Sequence, residues 1–156
     1  MNSLGNIIGE LCKVILPISE ESYVGNTNSS IAICTLSSMD LLKKISNSEL
    51  LSHSSIAGRL LSENKGIDSI IKYVNKNKKI KTIIICGKEV YGHKAGHSLF
   101  ELHKNGIDNY GKIINSTSPD PFLTVTKSEI NHFQNEINLV NIINETNFDI
   151  IKKFII

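Results

Sequence analysis

Residues 81–98 read KTIIICGKEVYGHKAGHS, and this stretch decides the fold class. Its first part, residues 81–87, is a short run of β-branched residues closed by a glycine, which is typical of a buried parallel strand. Its second part opens a helix, because apolar side chains recur at helical spacing over residues 95–102 and Gly106 supplies a C-cap. A strand followed at once by a helix is the repeating unit of α/β proteins.

Further strand patterns lie on both sides of this unit. Residues 30–38 read SIAICTLSS and form a second apolar run, which closes in hydroxyl residues. Weaker strands are predicted at Lys112–Asn115 and at residues 138–143. The strands therefore recur along most of the chain.

Helix patterns separate these strands. Residues 67–74 place isoleucine and valine on one helical face, and Thr126-Lys-Ser-Glu129 has the form of a capping box. The alternation predicts a Rossmann-like α/β sandwich with a mainly parallel sheet. We expect a single domain over residues 1–156, with its core at about 20–143.

Composition excludes several classes of function. The chain has 156 residues, of which 40% are hydrophobic and 21% charged, as expected of one soluble globular domain. Its 17 basic residues include a single arginine, Arg59, and are scattered, which argues against nucleic-acid binding. The three cysteines form no CxxC pair, so we expect neither a disulfide scaffold nor a structural zinc site held by cysteines. With no signal peptide and no apolar run near the roughly 20 residues of a membrane helix, a cytoplasmic protein without a membrane span is predicted.

Unusual residues follow the predicted strands at their carboxyl ends. They occupy residues 35–38, 86–93 and 115–119. In open parallel sheets, ligands bind at this edge, where the strand order reverses. The sequence therefore predicts a ligand site formed by these loops.

The loop at residues 86–93 contains a candidate metal ligand. Gly87 and Gly92 bring His93 to the mouth of the sheet, and Gly96 lets a bulky planar group approach the first helical turn. His-x-x-Gly is also the core of the motif by which many corrinoid proteins offer a histidine to cobalt, although Tyr91 replaces the usual acidic residue. On these residues alone, a loop histidine hydrogen-bonded to the backbone explains the pattern equally well.

Residues 84–108 closely resemble the central segment of the A subunit of tetrahydromethanopterin S-methyltransferase, which carries the corrinoid in a methyl-transfer complex of methanogens. Other blocks match that family in the same order, and together the resemblance covers roughly residues 20 to 143. These blocks are residues 22–25 with 31–38, 56–58 with 62–67, and 112–123.

The resemblance implies a role for His93. As the family's cobalt ligand, it would bind the lower face of cobalamin or a related cobamide, with a methyl group on the upper face, and would come on and off as that group arrives and leaves. The family passes the methyl group from methyl-tetrahydromethanopterin to coenzyme M with partner subunits, coupled to sodium transport. The resemblance places further cofactor contacts at Leu36, Ser37, Ser38, Gly58, Gly87, Glu89, Gly92, Gly96, Ser116, Thr117 and Pro121.

The sequence also departs from the family. The loop Asn115-Ser-Thr-Ser-Pro-Asp-Pro121 keeps only the threonine and the last proline of the usual pattern, and His97 stands where glutamine is usual. Full-length members end in a membrane helix and face the cytoplasm. We therefore expect this chain to be a soluble homologue or a soluble domain.

Two alternatives stay open. Glu89, His93 and His97 are spaced by four, which on a continuous helix would give a zinc or iron site. A non-catalytic small-ligand or metal-binding module of the same fold is therefore the second candidate. Glu89 either orients His93 or caps the loop. His103 is expected on a solvated helix face.

Overall fold

The computed structural model of this protein describes residues 21–156. Its strands are β1 (Ser22–Val24), β2 (Ile31–Cys34), β3 (Ile56–Gly58), β4 (Thr82–Ile85) and β5 (Asn138–Asn141). Its helices are α1 (Met39–Ser46), α2 (Glu49–Ser52), α3 (Lys65–Lys76), α4 (Ala95–Asn105), α5 (Lys127–Glu136) and α6 (Phe148–Lys152). Cys12 and the start of the predicted domain lie outside the described residues.

The strands form one sheet in the order β1-β3-β2-β4-β5. All neighbours pair in parallel except β1, which runs antiparallel to β3 at the edge. The predicted α/β class and mainly parallel sheet are confirmed. After β2 the chain moves outward to β3 and then returns to β4 on the other side of β2, so the strand order reverses between β2 and β4. Open α/β sheets commonly bind ligands at such a reversal of strand order.

Helices cover both faces of the sheet. Side chains of β2 alternate, because successive residues in a strand point to opposite faces. Ala32 and Cys34 join the core with α3, α4 and α5, whereas Ile33 joins the core with α1, α2 and α6. A sheet buried on both faces explains why the strand sequences read as continuous apolar runs.

The predicted strand at Lys112–Asn115 is wrong. Residues 107–123 form an irregular excursion with two isolated bridges, Ile107 to Ile113 and Lys112 to Phe122, and no residue of it joins the sheet. The backbone of Ile113 donates to Pro121 rather than to a strand, and Asn115 adopts a positive φ of 64°. Ile113 and Ile114 together look like a strand in the sequence, but only Ile113 is buried. The turn that follows directs the chain away from the sheet.

The predicted helix ends are confirmed, but one prediction about a helix surface is wrong. The capping box of Thr126 and Glu129 is formed, and Gly106 closes α4 with a φ of 71°. His103 is not on a solvated face as predicted, because its Nε2 lies 2.7 Å from the carbonyl oxygen of Ile137 and its ring packs edge-on against Phe133. The apolar residues of α4 alone do not indicate that α5 packs over His103 as well.

None of the helices within residues 21–156 has both the length and the apolar character that crossing a membrane requires.

Candidate functional site

The loops after β2 and β4 are bonded to each other at the switch point. The hydroxyl of Ser37 donates to the carbonyl of Lys88 at 2.8 Å, and the hydroxyl of Ser38 accepts from the Lys88 N–H at 2.8 Å. Gly87 lies beneath them with a φ of 76°. Ser37, Ser38 and Gly87, three of the predicted contacts, therefore stand together, and the serines serve first to fix the β4 loop.

His93 projects from the end of this loop. Gly92 precedes it with a φ of 77°, which turns the chain sharply before α4 begins. The His93 side chain is 57% exposed, yet its Nδ1 lies only 2.8 Å from Oε2 of Glu63. No other hydrogen bond to this ring forms within residues 21–156. One ring nitrogen is thus anchored, while Nε2 makes no hydrogen bond within residues 21–156.

Glu63, which holds His93, is a buried residue with 1% exposure in the segment between β3 and α3. Its second oxygen, Oε1, accepts the backbone N–H of Asp120 at 3.0 Å. Sequence reasoning missed Glu63, although it lies in a block that resembles the family. The available signal was an acidic residue shortly after a strand end, but nothing local says that it is buried or that it meets a residue 30 positions away.

The pair has a defined protonation pattern. Burial acts to raise the pKa of Glu63, but hydrogen bonds from backbone N–H groups, among them that of Asp120, and from His93 outweigh burial and lower the pKa below its ordinary value. An ionised carboxylate only accepts hydrogen bonds, so Nδ1 of His93 carries the proton that it donates to Glu63. The neutral ring then keeps its lone pair on Nε2, the form in which an imidazole binds a metal.

The lowered pKa of Glu63 predicts a loss of stability in acid. Because the folded protein holds this proton less tightly than the unfolded chain, the contribution is fully present above the unfolded value of about 4.3 and is lost as the pH falls through the lower folded value. Urea unfolding at a series of pH values should therefore show a steeper acid loss in the wild type than in Glu63→Gln. The two proteins share every other carboxylate, so parallel curves would contradict the assignment.

Glu89 caps a helix rather than orienting His93. Helix α4 begins after Lys94, which has a φ of 48° and makes no side-chain cap. The Glu89 carboxylate replaces that cap by accepting backbone N–H groups of Val90, Gly96 and His97 at 2.7, 3.0 and 2.8 Å. A negative charge at a helix N-terminus is also favoured by the helix dipole. Of the two roles considered for Glu89, the structure shows the capping role.

The segment 115–121 lies against the start of α4. The buried hydroxyl of Ser98 lies 2.6 Å from the hydroxyls of both Ser116 and Ser118. Thr117 reaches Nε2 of His97, and the backbone of Asp120 reaches Glu63. This segment, in which the predicted contacts Ser116 and Thr117 are exposed or half-buried, is therefore bonded both to α4 and to Glu63, the partner of His93.

Four other predicted contacts lie elsewhere or face inward. Leu36 and Pro121 are buried, and Leu36 lies in the core. A Cβ on Gly96 would lie 2.9 Å from Glu89 and 3.1 Å from Leu36, so this glycine serves packing inside the fold and does not open space for a planar group. Gly58 ends β3 and lines a separate, mostly apolar cavity of about 180 Å³ between the sheet and α3.

A larger cleft of about 580 Å³ opens beside the switch point. Its lining includes Ser37, Ser38, Lys44, Lys88 and Thr146. This places two lysines and several hydroxyls next to the loop that leads to His93. Within residues 21–156, no group of three or more histidine, cysteine, aspartate or glutamate side chains is placed to hold a metal ion. A zinc or iron site with several protein ligands therefore finds no support in this part of the chain.

Comparison with known proteins identifies relatives of this chain. A family model that describes the A subunit of tetrahydromethanopterin S-methyltransferase matches residues 14–156. The A subunit of the methyltransferase Mtx from Methanosarcina barkeri is 38% identical over 141 residues, which are 89% of this chain and 68% of that protein. The tetrahydromethanopterin S-methyltransferase A 1 subunit of Methanothermobacter thermautotrophicus is 34% identical over 139 residues, 87% of this chain and 56% of that protein. The A subunit of the same enzyme from Methanosphaera stadtmanae is 35% identical over 132 residues, 82% of this chain and 51% of that protein.

The chain thus spans between about half and two thirds of the length of these relatives. The family match covers all the elements described above, including the strand edge, the His93 loop and the 115–121 segment. The chain belongs to the family of tetrahydromethanopterin S-methyltransferase A subunits.

Proposed function

We propose that this chain is a corrinoid-binding methyl carrier of a methyltransferase, and that His93 is the lower axial ligand of the corrinoid cobalt. One observation carries the proposal: His93 is anchored through Nδ1 to a buried carboxylate and presents Nε2 at the carboxyl edge of the sheet. A metal-binding histidine usually donates its other ring N–H to a carboxylate or carbonyl, and this arrangement reproduces that pattern without a metal.

The residues present fit cobalamin or a related cobamide. A corrin ring supplies its own equatorial nitrogens, so the protein needs to add only one ligand, and a single available imidazole nitrogen meets that need. When bound, the cobalt would accept a methyl group and pass it on. The hydroxyls of Ser37, Ser38, Ser116 and Thr117 lie on the loops around His93 and would bond the corrin amides or the nucleotide tail.

Glu63 gives His93 two usable protonation states. With the ring neutral, the carboxylate holds the proton on Nδ1 and leaves the Nε2 lone pair for a metal. If Nε2 takes a proton instead, the same contact becomes an ion pair, and the ring stays in place. His93 can therefore bind and release a metal without losing its anchor.

The wider reaction is also proposed. The chain would act with partner subunits, taking the methyl group that comes from methyl-tetrahydromethanopterin and delivering it toward coenzyme M, in the cytoplasm. The names of the relatives support a place in a methyltransferase complex.

An electron paramagnetic resonance measurement tests the proposal directly. The protein is produced with ¹⁵N-histidine and mixed with unlabelled cob(II)alamin. We expect a base-off, histidine-on spectrum in which the axial nitrogen splitting changes from a triplet to a doublet on labelling, because the ligand then has the spin of ¹⁵N. A spectrum that keeps the triplet of the cofactor's own base, or an absence of binding, would favour the non-catalytic small-ligand module.

Glu63→Gln should weaken this ligation. Glutamine keeps the size of the side chain but removes the charge that fixes the ring, so cob(II)alamin affinity should fall about tenfold to a hundredfold. Glu89→Gln is the matched control, because Glu89 lies in the same loop as His93 and bonds the backbone of α4 instead. We expect it to lower thermal stability and to retain the histidine-on spectrum. Equal affinities of the two variants, measured by visible titration, would show that Glu63 does not orient His93.

A further inference from the structure

His97 holds the exposed tip of the 115–118 loop. Its Nε2 lies 3.2 Å from the backbone nitrogen of Thr117 and 3.3 Å from the Thr117 hydroxyl. A backbone N–H can only donate, so Nε2 accepts, and the neutral ring carries its proton on Nδ1. The bond therefore requires one tautomer of His97.

This bond differs from the other attachments of the loop. The hydroxyls of Ser116 and Ser118 meet Ser98, and that contact does not depend on pH. Thr117 is exposed, and besides His97 it meets only Nζ of Lys94, at 3.4 Å, within residues 21–156. The position of the Thr117 hydroxyl at the ligand edge thus depends mainly on His97.

The same loop leads to the anchor of His93. Three residues after Thr117, the N–H of Asp120 donates to Glu63, and Glu63 holds Nδ1 of His93. Thr117 therefore lies three residues from a backbone group that helps to hold the anchor of His93.

We propose that His97 is a positioning residue for the corrinoid, which acts through Thr117 and only while its ring is neutral. The inference rests on the proposed function, because the ligand positioned is the corrinoid. A protonated imidazole has no lone pair with which to accept a hydrogen bond. Nε2 must therefore keep its lone pair, as in the tautomer protonated at Nδ1, for His97 to hold Thr117.

Two carboxylates near His97 along the chain do not hold its ring. Glu89 bonds the backbone N–H of His97, and Glu101 bonds Asn105. Within residues 21–156, Thr117 is the only residue to which the His97 ring is hydrogen-bonded.

Cobalamin affinity of three variants tests the inference. At about pH 7.5, His97→Ala should bind about threefold to tenfold more weakly than the wild type, the cost of one or two hydrogen bonds. His97→Gln should restore the affinity, because its amide oxygen can accept from Thr117. His103→Gln is the matched control on the same helix, since His103 bonds Ile137 and not the loop. It should leave the affinity unchanged.

The tautomer of the His97 ring separates positioning from a loss of folding. Two-bond ¹⁵N–¹H correlation spectra of the ligand-free protein should show His97 protonated at Nδ1.

The outcomes distinguish the two proposals. If the wild type binds cobalamin through His93 but His97→Ala binds equally well, or if His97 is protonated at Nε2, the inference fails and the proposed function stands. If the wild type does not bind cobalamin at all, both fail.

Discussion

Replacement of His93 by alanine is expected to remove the protein nitrogen from cobalt completely. The ¹⁵N-dependent splitting should vanish. Cobalamin affinity should fall by more than roughly a hundredfold, which is the largest loss expected when only an orienting carboxylate is removed. The physical reason is that Glu63 anchors one ring nitrogen of His93, while the other nitrogen is available to bind cobalt. His97, one turn further along α4, already uses its Nε2 on Thr117.

Chemical rescue makes the prediction about His93 specific. The side chain is more than half exposed, at 57%, so free imidazole can reach the space left by His93→Gly. Added ¹⁵N-imidazole should restore a nitrogen-ligated spectrum with the label's doublet. Both variants should unfold at a somewhat lower temperature, because the buried Glu63 carboxylate loses one hydrogen bond, a cost of about 1–3 kcal/mol. A histidine-on spectrum that persists in His93→Ala would refute the assignment of the ligand.

Gly87→Ala is expected to have the largest effect on folding. Gly87 has a φ of 76°, and a Cβ there would lie 2.2 Å from the carbonyl oxygen of Thr35. The backbone cannot move away easily, since its N–H donates to Glu145 and its carbonyl accepts from Asn144, both at 2.7 Å. The left-handed conformation and the overlap together should cost about 3 kcal/mol of unfolding free energy.

Gly92→Ala is a matched control for Gly87→Ala. Gly92 has almost the same φ, 77°, but apart from its chain neighbours no atom of residues 21–156 lies within 4 Å of the position of its Cβ. It should lose only the conformational part, about 1 kcal/mol. Urea unfolding of both variants measures the difference. Equal losses would mean that the contact with Thr35 is relieved by a small shift, and that the two loops at the switch point are less tightly fitted than their hydrogen bonds suggest.

Local sequence patterns were sufficient for β2, β4, α3, α4 and α5, but they did not predict the eight-residue helix α1. Strands β2 and β4 are buried on both faces and therefore read as apolar runs, while α3 and α5 carry a one-sided stripe or a capping box. The pattern at Lys112–Asn115 misled because two isoleucines between polar residues look the same in a strand and in a loop that buries one of them. The three-residue strands β1 and β3 are too short to produce a periodic signal.

The sequence by itself determined the α/β class, and it predicted a ligand site at the carboxyl edge of the sheet with His93 as the candidate ligand. The class and the edge follow from signals within a few neighbouring residues, whereas the choice of His93 follows from the resemblance to the family. Only the tertiary structure decided that Glu63 anchors His93, that Glu89 caps α4 instead, and that His97 holds Thr117. These hydrogen bonds depend on the direction and burial of side chains from separate segments. The packing of helices on the sheet sets both, and no local pattern records them.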